Sequence, residues 1–545
     1  MKQILFVFLL TWIAIGCNQG PPPKTEPVKK PENINEHVTK LLKKYLEKAE
    51  SSTIINFKTD TLVAVQKVKS IYTWFHYNPI WTDKGVLGAE GDTLLRILKQ
   101  ASVYGLIPSN YYVNQIDSLL HTEKNSKGEV DAVMVTNAEL FLTDGLFKMA
   151  VHLNKGRLNP DSLWKEWKIN KVDTNLLSLV ANAIRKNAIR AALDSMEPRH
   201  EQYKKLKIAL SDFRKEFENN NWDSLPPIEQ DTPAFYNALQ NRLIQSHHFD
   251  TTLKVNDEKK LAKALKKFQL EHALNDDGRV GKFTYSALNV SKENQIRQIE
   301  LNMERWRWES ATGKRYLWVN IPSFKLKVID SDTLYSEVKV ITGSTKHPTP
   351  LLKGTISYFI IYPYWNVPYK IASEEILPRI QWDTTYLRKN NFDVLDWNNQ
   401  VVDAKKIYWK KYNKTNLPYH FRQQEGQDNS LGVIKFMFNN PFGVYLHDTN
   451  SKRLFGKEVR ALSHGCVRME NPWILANYLI QDEKKYNTDS LFEYYIKEQK
   501  KTIPLHKPLP LYIKYFTCEV DTNDRLLFYT DIYEKDKKML KTLYK

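Results

Sequence analysis

The chain has 545 residues, more than one hydrophobic core accommodates, and its 42% hydrophobic and 12% aromatic content predicts several globular domains and excludes a disordered chain. Eighty Lys and Arg against 62 Asp and Glu leave a net charge of +18, which favours anionic partners, yet no arginine-rich tract or nucleic-acid fingerprint accompanies it and no nucleic-acid role is expected. Three cysteines, Cys17, Cys466 and Cys518, are too few and of the wrong parity for a disulfide framework, so each needs its own account.

The first segment, MKQILFVFLLTWIAIGCNQG, carries Lys2 ahead of an apolar run from Ile4 to Ile15 that is too short to span a bilayer and reads as an export signal. Ala14-Ile15-Gly16-Cys17 resembles a bacterial lipobox, which implies removal of residues before Cys17 and a diacylglycerol on its thiol. Asn18 and Gln19 follow, with no Asp in the inner-membrane retention position, and the expected place is the periplasmic side of the outer membrane. Residues 18–36, rich in Pro, Lys and Glu, read as an extended tether reaching about 55 Å at about 3.1 Å per residue.

Residues 37–235 show helical apolar periodicity without a constellation of chemical groups, so an α-helical scaffold is expected, with Trp74, Phe75, Tyr77, Pro79 and Trp81 as core. Between 236 and 295 comes a small module. Asn256 reads as a helix cap, Leu261, Leu265 and Phe268 as one buried face, Asn275-Asp-Asp-Gly278-Arg-Val-Gly281 as a tight turn with glycines at positive φ, and Thr284 to Leu288 as another helix. The string FQLEHALNDDGRVGKFTYSAL resembles the three-helix peptidoglycan-binding-like module, which serves either to grip glycan or as a spacer.

From about 300 to 545 the pattern is mainly β, with strands expected at Arg315–Ile321, Phe324–Ile329, Val338–Thr342 and Ile356–Ile361 in a sandwich or barrel-like sheet. Residues 369–432 interrupt it with helical and loop text and read as an inserted lid. The fold class is therefore a multidomain α+β protein.

The chemistry gathers in Tyr445-Leu-His447-Asp and, fifteen residues on, Ser463-His464-Gly465-Cys466-Val-Arg468. A thiol is a strong nucleophile only as thiolate and needs a nearby imidazole or helix N-terminus to ionise near neutrality. Cys466 reads as nucleophile and His447 as general base and later acid; Asn471-Pro472 opens a helix whose dipole is expected close to the sulfur. Gly465 lets the amides of His464, Gly465 and Cys466 turn toward an oxyanion, His464 reads as a positioning group, and Arg468 suits a substrate carboxylate. The ordinary alternatives are a small buried Cys and a satisfied core His. A metal site of His447, His464 and Cys466 is disfavoured because no second Cys or carboxylate recurs at ligand spacing, and no cofactor is implied. Cys518 reads as packing.

The full string HDTNSKRLFGKEVRALSHGCVRMENP resembles the YkuD-type L,D-transpeptidase signature. Tyr364-Trp365-Asn-Val-Pro368, Asn429 to Phe438 and Tyr445 to Thr449 are similar to blocks of the large YcbB-like Gram-negative form. Tyr369 stands where relatives commonly carry another residue, and the Lys405, Lys406, Lys410, Lys411 and Lys414 run does not align with them. The resemblance implies a thiolate that attacks the tetrapeptide stem of peptidoglycan, releases D-alanine and passes the acyl group to a diamino-acid amine as a 3→3 crosslink. It implies Ser463, Tyr445 and Trp365 as site residues, susceptibility to carbapenems, and stem peptides and a membrane reached through Cys17 as partners; no particular wall-synthesis protein is indicated. Hydrolysis, D-amino-acid exchange or protein-to-wall attachment by the same core, or a binding-only lipoprotein, are the rival readings. A serine D,D-transpeptidase is disfavoured, since its Ser-x-x-Lys match at Ser336–Lys339 falls in an expected strand.

Overall fold

The computed structural model describes residues 25–28, 31–48, 55–56, 61–120, 129–164, 175–219, 222–227, 233–249, 258–310 and 312–544. The signal segment, Cys17, residues 18–24 and 29–30 of the tether and the cap at Asn256 lie outside the described residues. The described part of the tether is not the extended spacer expected: Pro27–Val28 pairs antiparallel with Val130–Asp131, burying Val28, and helix Ile34–Lys48 begins before residue 36. The chain forms two compact units, one of residues up to 153 together with 173–197, the other of 154–172 together with 198–545.

In the first unit the helix Ala132–Lys155 is buried on nearly every side, because its apolar positions do not fall on a single stripe. Around it pack Val38 and Leu42 of helix Ile34–Lys48, Val68 and Ile71 of Val65–Trp74, and Leu94 and Leu98 of Ala89–Lys99. Two carboxylates inside this core hold the loops down. Glu139 accepts from the amides of Ile80, Trp81 and Thr82 and from the Tyr72 hydroxyl, and Asp144 from the Ala64 amide and the Tyr112 hydroxyl. Of the expected aromatic core, Trp81 is fully buried, whereas Trp74 is exposed.

The second unit takes in helix Glu201–Glu216, so the helical region does not end as one body near residue 235. Its buried Tyr203, Leu206, Leu210 and Phe213 cluster with Trp306, Phe516 and Phe528, which lie in or beside the catalytic sheet region. Helices Pro233–Gln245, Glu258–Glu271 and Lys282–Leu288 enclose a small core of Leu239, Leu243, Leu265, Phe268 and Leu288. Their turn is fixed by the Gln269 amide, which bonds Asp277, Thr284, the Arg279 carbonyl and the Gly278 N–H. Gly278 has φ +75°, as the turn requires; Gly281 does not, and is instead the extended cap residue of Lys282–Leu288.

The catalytic sheet has nine strands: β1 Tyr316–Asn320, β2 Lys325–Asp330, β3 Thr333–Gly343, β4 Leu352–Ile361, β5 Ile434–Phe438, β6 Leu446–His447, β7 Ala461–Ser463, β8 Val467–Met469 and β9 Lys501–Lys514. Their order is β7-β3-β8-β6-β5-β4-β9-β1-β2, and β2 also pairs with β3, so the sheet closes on itself in the barrel-like form. The long β3 makes this closure, bonding β2 along its first half, then β8 at Val340–Ile341 and β7 at Thr342–Gly343. Alternation does the rest: Leu317, Val319, Leu326, Val328, Phe436, Leu446, Val467 and Met469 face one core with Leu475 and Leu479 of helix Pro472–Leu479.

The lid is more than helix and loop. Residues 365–423 form a small subdomain with a four-stranded sheet of Trp365–Asn366, His420–Gln423, Phe392–Leu395 and Val401–Val402, and a core of its own around Ile376, Ile380, Trp409 and Phe421. A helical run from Tyr369 to Trp382 carries a wide π turn at Ala372–Ile376 just ahead of Pro378, whose missing N–H and ring disfavour the regular ladder there.

Candidate active site

Strands β5, β6 and β8 lie side by side, and their register builds the site. β5 and β6 pair antiparallel with Lys435 opposite His447, and β6 and β8 pair parallel with His447 opposite Arg468. Lys435, His447 and Arg468 therefore form one row across three strands. The neighbouring positions Ile434, Phe436, Leu446 and Val467 face the core, so the row faces outward. Tyr445 and Cys466 stand two positions and one β-step along on that same face, with the Val467 N–H donating to the Tyr445 carbonyl at 3.1 Å. Diagonal neighbours of this kind have Cα atoms about 7–8 Å apart, within reach of an imidazole and a thiol.

Cys466 is partly accessible and unoxidised. The Tyr445 hydroxyl faces the Cys466 side chain and Trp365, which arrives from the lid. Burial pushes the Cys466 thiol up; the Tyr445 backbone and hydroxyl and the charges of Lys435 and Arg468 oppose that rise without cancelling it. His447, 4% exposed, is pulled down to about 3 by burial first, then by the Arg468 charge and, further down, the Lys435 charge. The expected thiolate held ionised by an imidazolium is therefore replaced by a thiol beside a neutral imidazole. An imidazolium seated between two cations in a buried row is the unfavourable state.

The turn carrying the nucleophile is fixed by Ser463, which donates from Oγ to the Cys466 carbonyl at 2.5 Å and accepts from the Gly465 N–H at 3.1 Å. Gly465 sits at φ +115°, which a side chain would strain, and its carbonyl accepts from the Thr349 hydroxyl at 2.8 Å. The Gly465 amide is thus engaged and is not a free oxyanion donor; of the three expected donors, those of His464 and Cys466 remain. His464 turns away from the sulfur: its Nε2 lies 2.6 Å from Glu375 on the lid, and its ring stacks on His347 with centroids 5.2 Å apart.

Asn471 does cap helix Pro472–Leu479, accepting from the Trp473 N–H. That helix starts beyond β8, however, and five residues of mostly extended chain at about 3.3 Å each separate it from Cys466, so its dipole is not what acts on the sulfur. Asp448 holds the end of β6, accepting from the Val433 N–H at 2.9 Å and pairing with Lys452. A Cβ at Gly432 would lie 2.4 Å from the Asp448 carboxyl carbon, so only glycine fits there. Sequence reasoning passed over Lys435, Thr349, Asp448 and Glu375. Of these only Lys435 left a sequence signal, a lone cation at an outward position inside the apolar string Ile434 to Phe438.

Among the described residues no group of three or more His, Cys, Asp and Glu is placed to hold a metal ion. Cys518 is fully buried on the short strand Cys518–Val520, where burial raises its thiol well above the usual range. A cavity of about 750 Å³ flanks the other side of the catalytic turn, lined by Thr349, Pro350, Phe442, Val444, Gly465 and Tyr533 among others.

Together the closed sheet and the outward face that carries Cys466 and His447 define the candidate site. Comparison with known families makes it specific: residues 314–484 match the L,D-transpeptidase catalytic domain and residues 66–210 match the Scaffold domain, so this chain carries a YkuD-type L,D-transpeptidase catalytic domain together with a Scaffold domain. A protein of Haemophilus influenzae named "Putative L,D-transpeptidase" is 33% identical over 257 residues, which are 46% of this chain and 50% of that protein. The chain therefore aligns with half the length of that relative. Two solved structures align with 51% and 57% of this chain. One is an L,D-transpeptidase from Stackebrandtia nassauensis (14% identity, 90% of that chain, TM-score 0.19) and the other is titled "Ldtfm-avibactam carbamoyl enzyme" (9% identity, 98% of that chain, TM-score 0.18).

Proposed function

We propose that this protein is an L,D-transpeptidase that acts on peptidoglycan stems and forms 3→3 crosslinks. The observation that carries this reading is the register that sets Cys466 diagonal to His447 and beside Arg468 on one face, with Ser463 pinning the nucleophile's turn. His447, neutral at pH 7, takes the thiol proton as sulfur attacks the carbonyl between the third and fourth stem residues. The C–S bond forms, the oxyanion meets the amides of His464 and Cys466, and His447 returns the proton to the leaving D-alanine amine as the C–N bond breaks. A diamino-acid amine then attacks the thioester with His447 as base and restores the thiol. Arg468, whose Nε has no hydrogen-bond partner, is suited to a stem carboxylate.

The test is incubation of the purified chain with tetrapeptide-stem muropeptides and mass analysis of products. Dimers joined 3→3 with release of D-alanine are expected, and Cys466→Ala, correctly folded, loses both these products and the covalent adduct that a carbapenem leaves on Cys466. Full crosslinking by Cys466→Ala would refute the nucleophile; monomer tripeptides alone would favour hydrolysis. The export signal and the lipobox at Cys17 support a lipoprotein on the periplasmic side of the outer membrane. A diacylglyceryl mass on a mature N-terminal Cys17 peptide would bear this out, and an unmodified or uncleaved N-terminus would reject it.

A further inference from the structure

We propose that Lys435 is a positioning residue for acyl transfer, its ammonium supplying the counter-charge for the sulfur of Cys466 as that sulfur loses its proton. The proposal rests on Cys466 being the nucleophile and adds a group that neither the sequence motif nor the comparisons single out.

Its basis is where β5 places this side chain. Lys435 is cross-strand partner to His447, and its Nζ lies 3.8 Å from the centre of the Tyr445 ring, whose hydroxyl faces the Cys466 side chain. The flanking Ile434 and Phe436 are fully buried in the barrel core, so Lys435 cannot turn inward. Among the described residues no carboxylate lies within salt-bridge distance of Lys435 or of Arg468. A half-buried lysine without an anion is unfavourable unless an anion forms there. The groups that act on the sulfur are Lys435 from β5, Tyr445 just ahead of β6 and Arg468 from β8, with His447 on the same face of β6; the lid's Glu375 is taken up by His464.

The chemistry follows from the charges. His447 removes the thiol proton, so an imidazolium forms next to Lys435 and Arg468 just as negative charge grows on sulfur and then on the carbonyl oxygen. Lys435 makes and breaks no bond. It favours the anionic sulfur, and it disfavours the imidazolium, which returns its proton readily to the leaving amine. A merely structural lysine would do neither.

Alkylation of Cys466 by iodoacetamide, followed by mass analysis between pH 6 and 10, reads thiolate formation with no stem peptide present. The expected result is that Lys435→Met and Lys435→Gln each slow the reaction at pH 7 by about tenfold and move the pH midpoint up by about one unit, while Lys435→Arg stays within about threefold of the unaltered chain. Two neutral replacements are used so that one folded variant, checked by circular dichroism, suffices. Rates within twofold of the unaltered chain in a folded neutral variant would overturn the proposal. That failure is separable from failure of the proposed activity, because the latter would show as no D-alanine release by the unaltered chain.

Discussion

Ser463 uses one hydroxyl twice, donating to the Cys466 carbonyl and accepting from the Gly465 amide, so removing it leaves two buried backbone groups without partners. Each such loss costs about 1–3 kcal/mol, and here the cost falls on the turn that aims the sulfur. Ser463→Ala is expected to lower the rate of D-alanine release by about tenfold to a hundredfold with native circular dichroism, and Ser463→Thr, which keeps the hydroxyl, to restore most of it; an unchanged rate in the alanine variant would show that the turn holds without it. His447 makes a second residue-scale prediction. Because burial and two flanking cations hold its pKa at about 3, it already carries no proton at mildly acidic pH. kcat/KM is then expected to stay level from about pH 5.5 to 8, with no limb near the ordinary imidazole value of about 6.5. A limb centred between pH 6 and 7 would mean that His447 titrates freely.

At the scale of elements, the lid and the catalytic turn meet through Glu375 and His464, each about two-fifths exposed. An exposed pair contributes at most about 1 kcal/mol to folding, so Glu375→Ala should scarcely change the melting temperature. It should instead raise amide hydrogen exchange across 369–382, since that run already carries a π turn ahead of Pro378. Unchanged exchange there would show that the contact does not hold the lid. The lid also marks what the sequence could show. The long strands β3 and β4 announce themselves by alternation, and the Cys466 motif by its spacing. The lid's strands are two to four residues long, and the pairing of Trp365 with Gln423 joins positions far apart in the chain, so no local pattern reveals that sheet. Lys435 stands out locally as a lone cation in an apolar string, but its role was not legible because its partners His447 and Tyr445 are brought to it by register, and the misplaced helix dipole came from reading closeness in sequence as closeness in space. Tyr369 braces the lysine-bearing loop by donating from its hydroxyl to the Lys414 carbonyl.

At the scale of the whole molecule, buried neutral histidines set the response to acid. In the unit that holds the catalytic sheet, burial pulls His200 to about 4 and both His272 and His447 to about 3. His272 shows how the neutral ring is kept: Nδ1 bonds the Phe268 carbonyl, the amide of Gln295 faces Nε2, and the ring stacks on Phe268 with centroids 3.9 Å apart. Unfolded, each ring binds a proton below about pH 6.5, whereas folded it stays neutral until pH 3 to 4, so the unfolded state takes up more protons throughout that window. Their stabilisation is therefore complete above about pH 6.5 and is lost as pH falls through the window, on the order of 2 kcal/mol per ring at pH 5. Asp531, whose carboxyl is raised by burial, acts in the opposite direction, but it is one group against three. The melting temperature of this unit by calorimetry is expected to drop between pH 7 and pH 5. Because a chain of net charge +18 also repels itself more strongly in acid, the drop alone is not specific. The slope decides: His272→Gln cannot take up the proton, so whatever it costs at pH 7, its melting temperature should fall less between pH 7 and pH 5 than that of the unaltered chain, and parallel slopes would show that His272 is not held neutral by the fold.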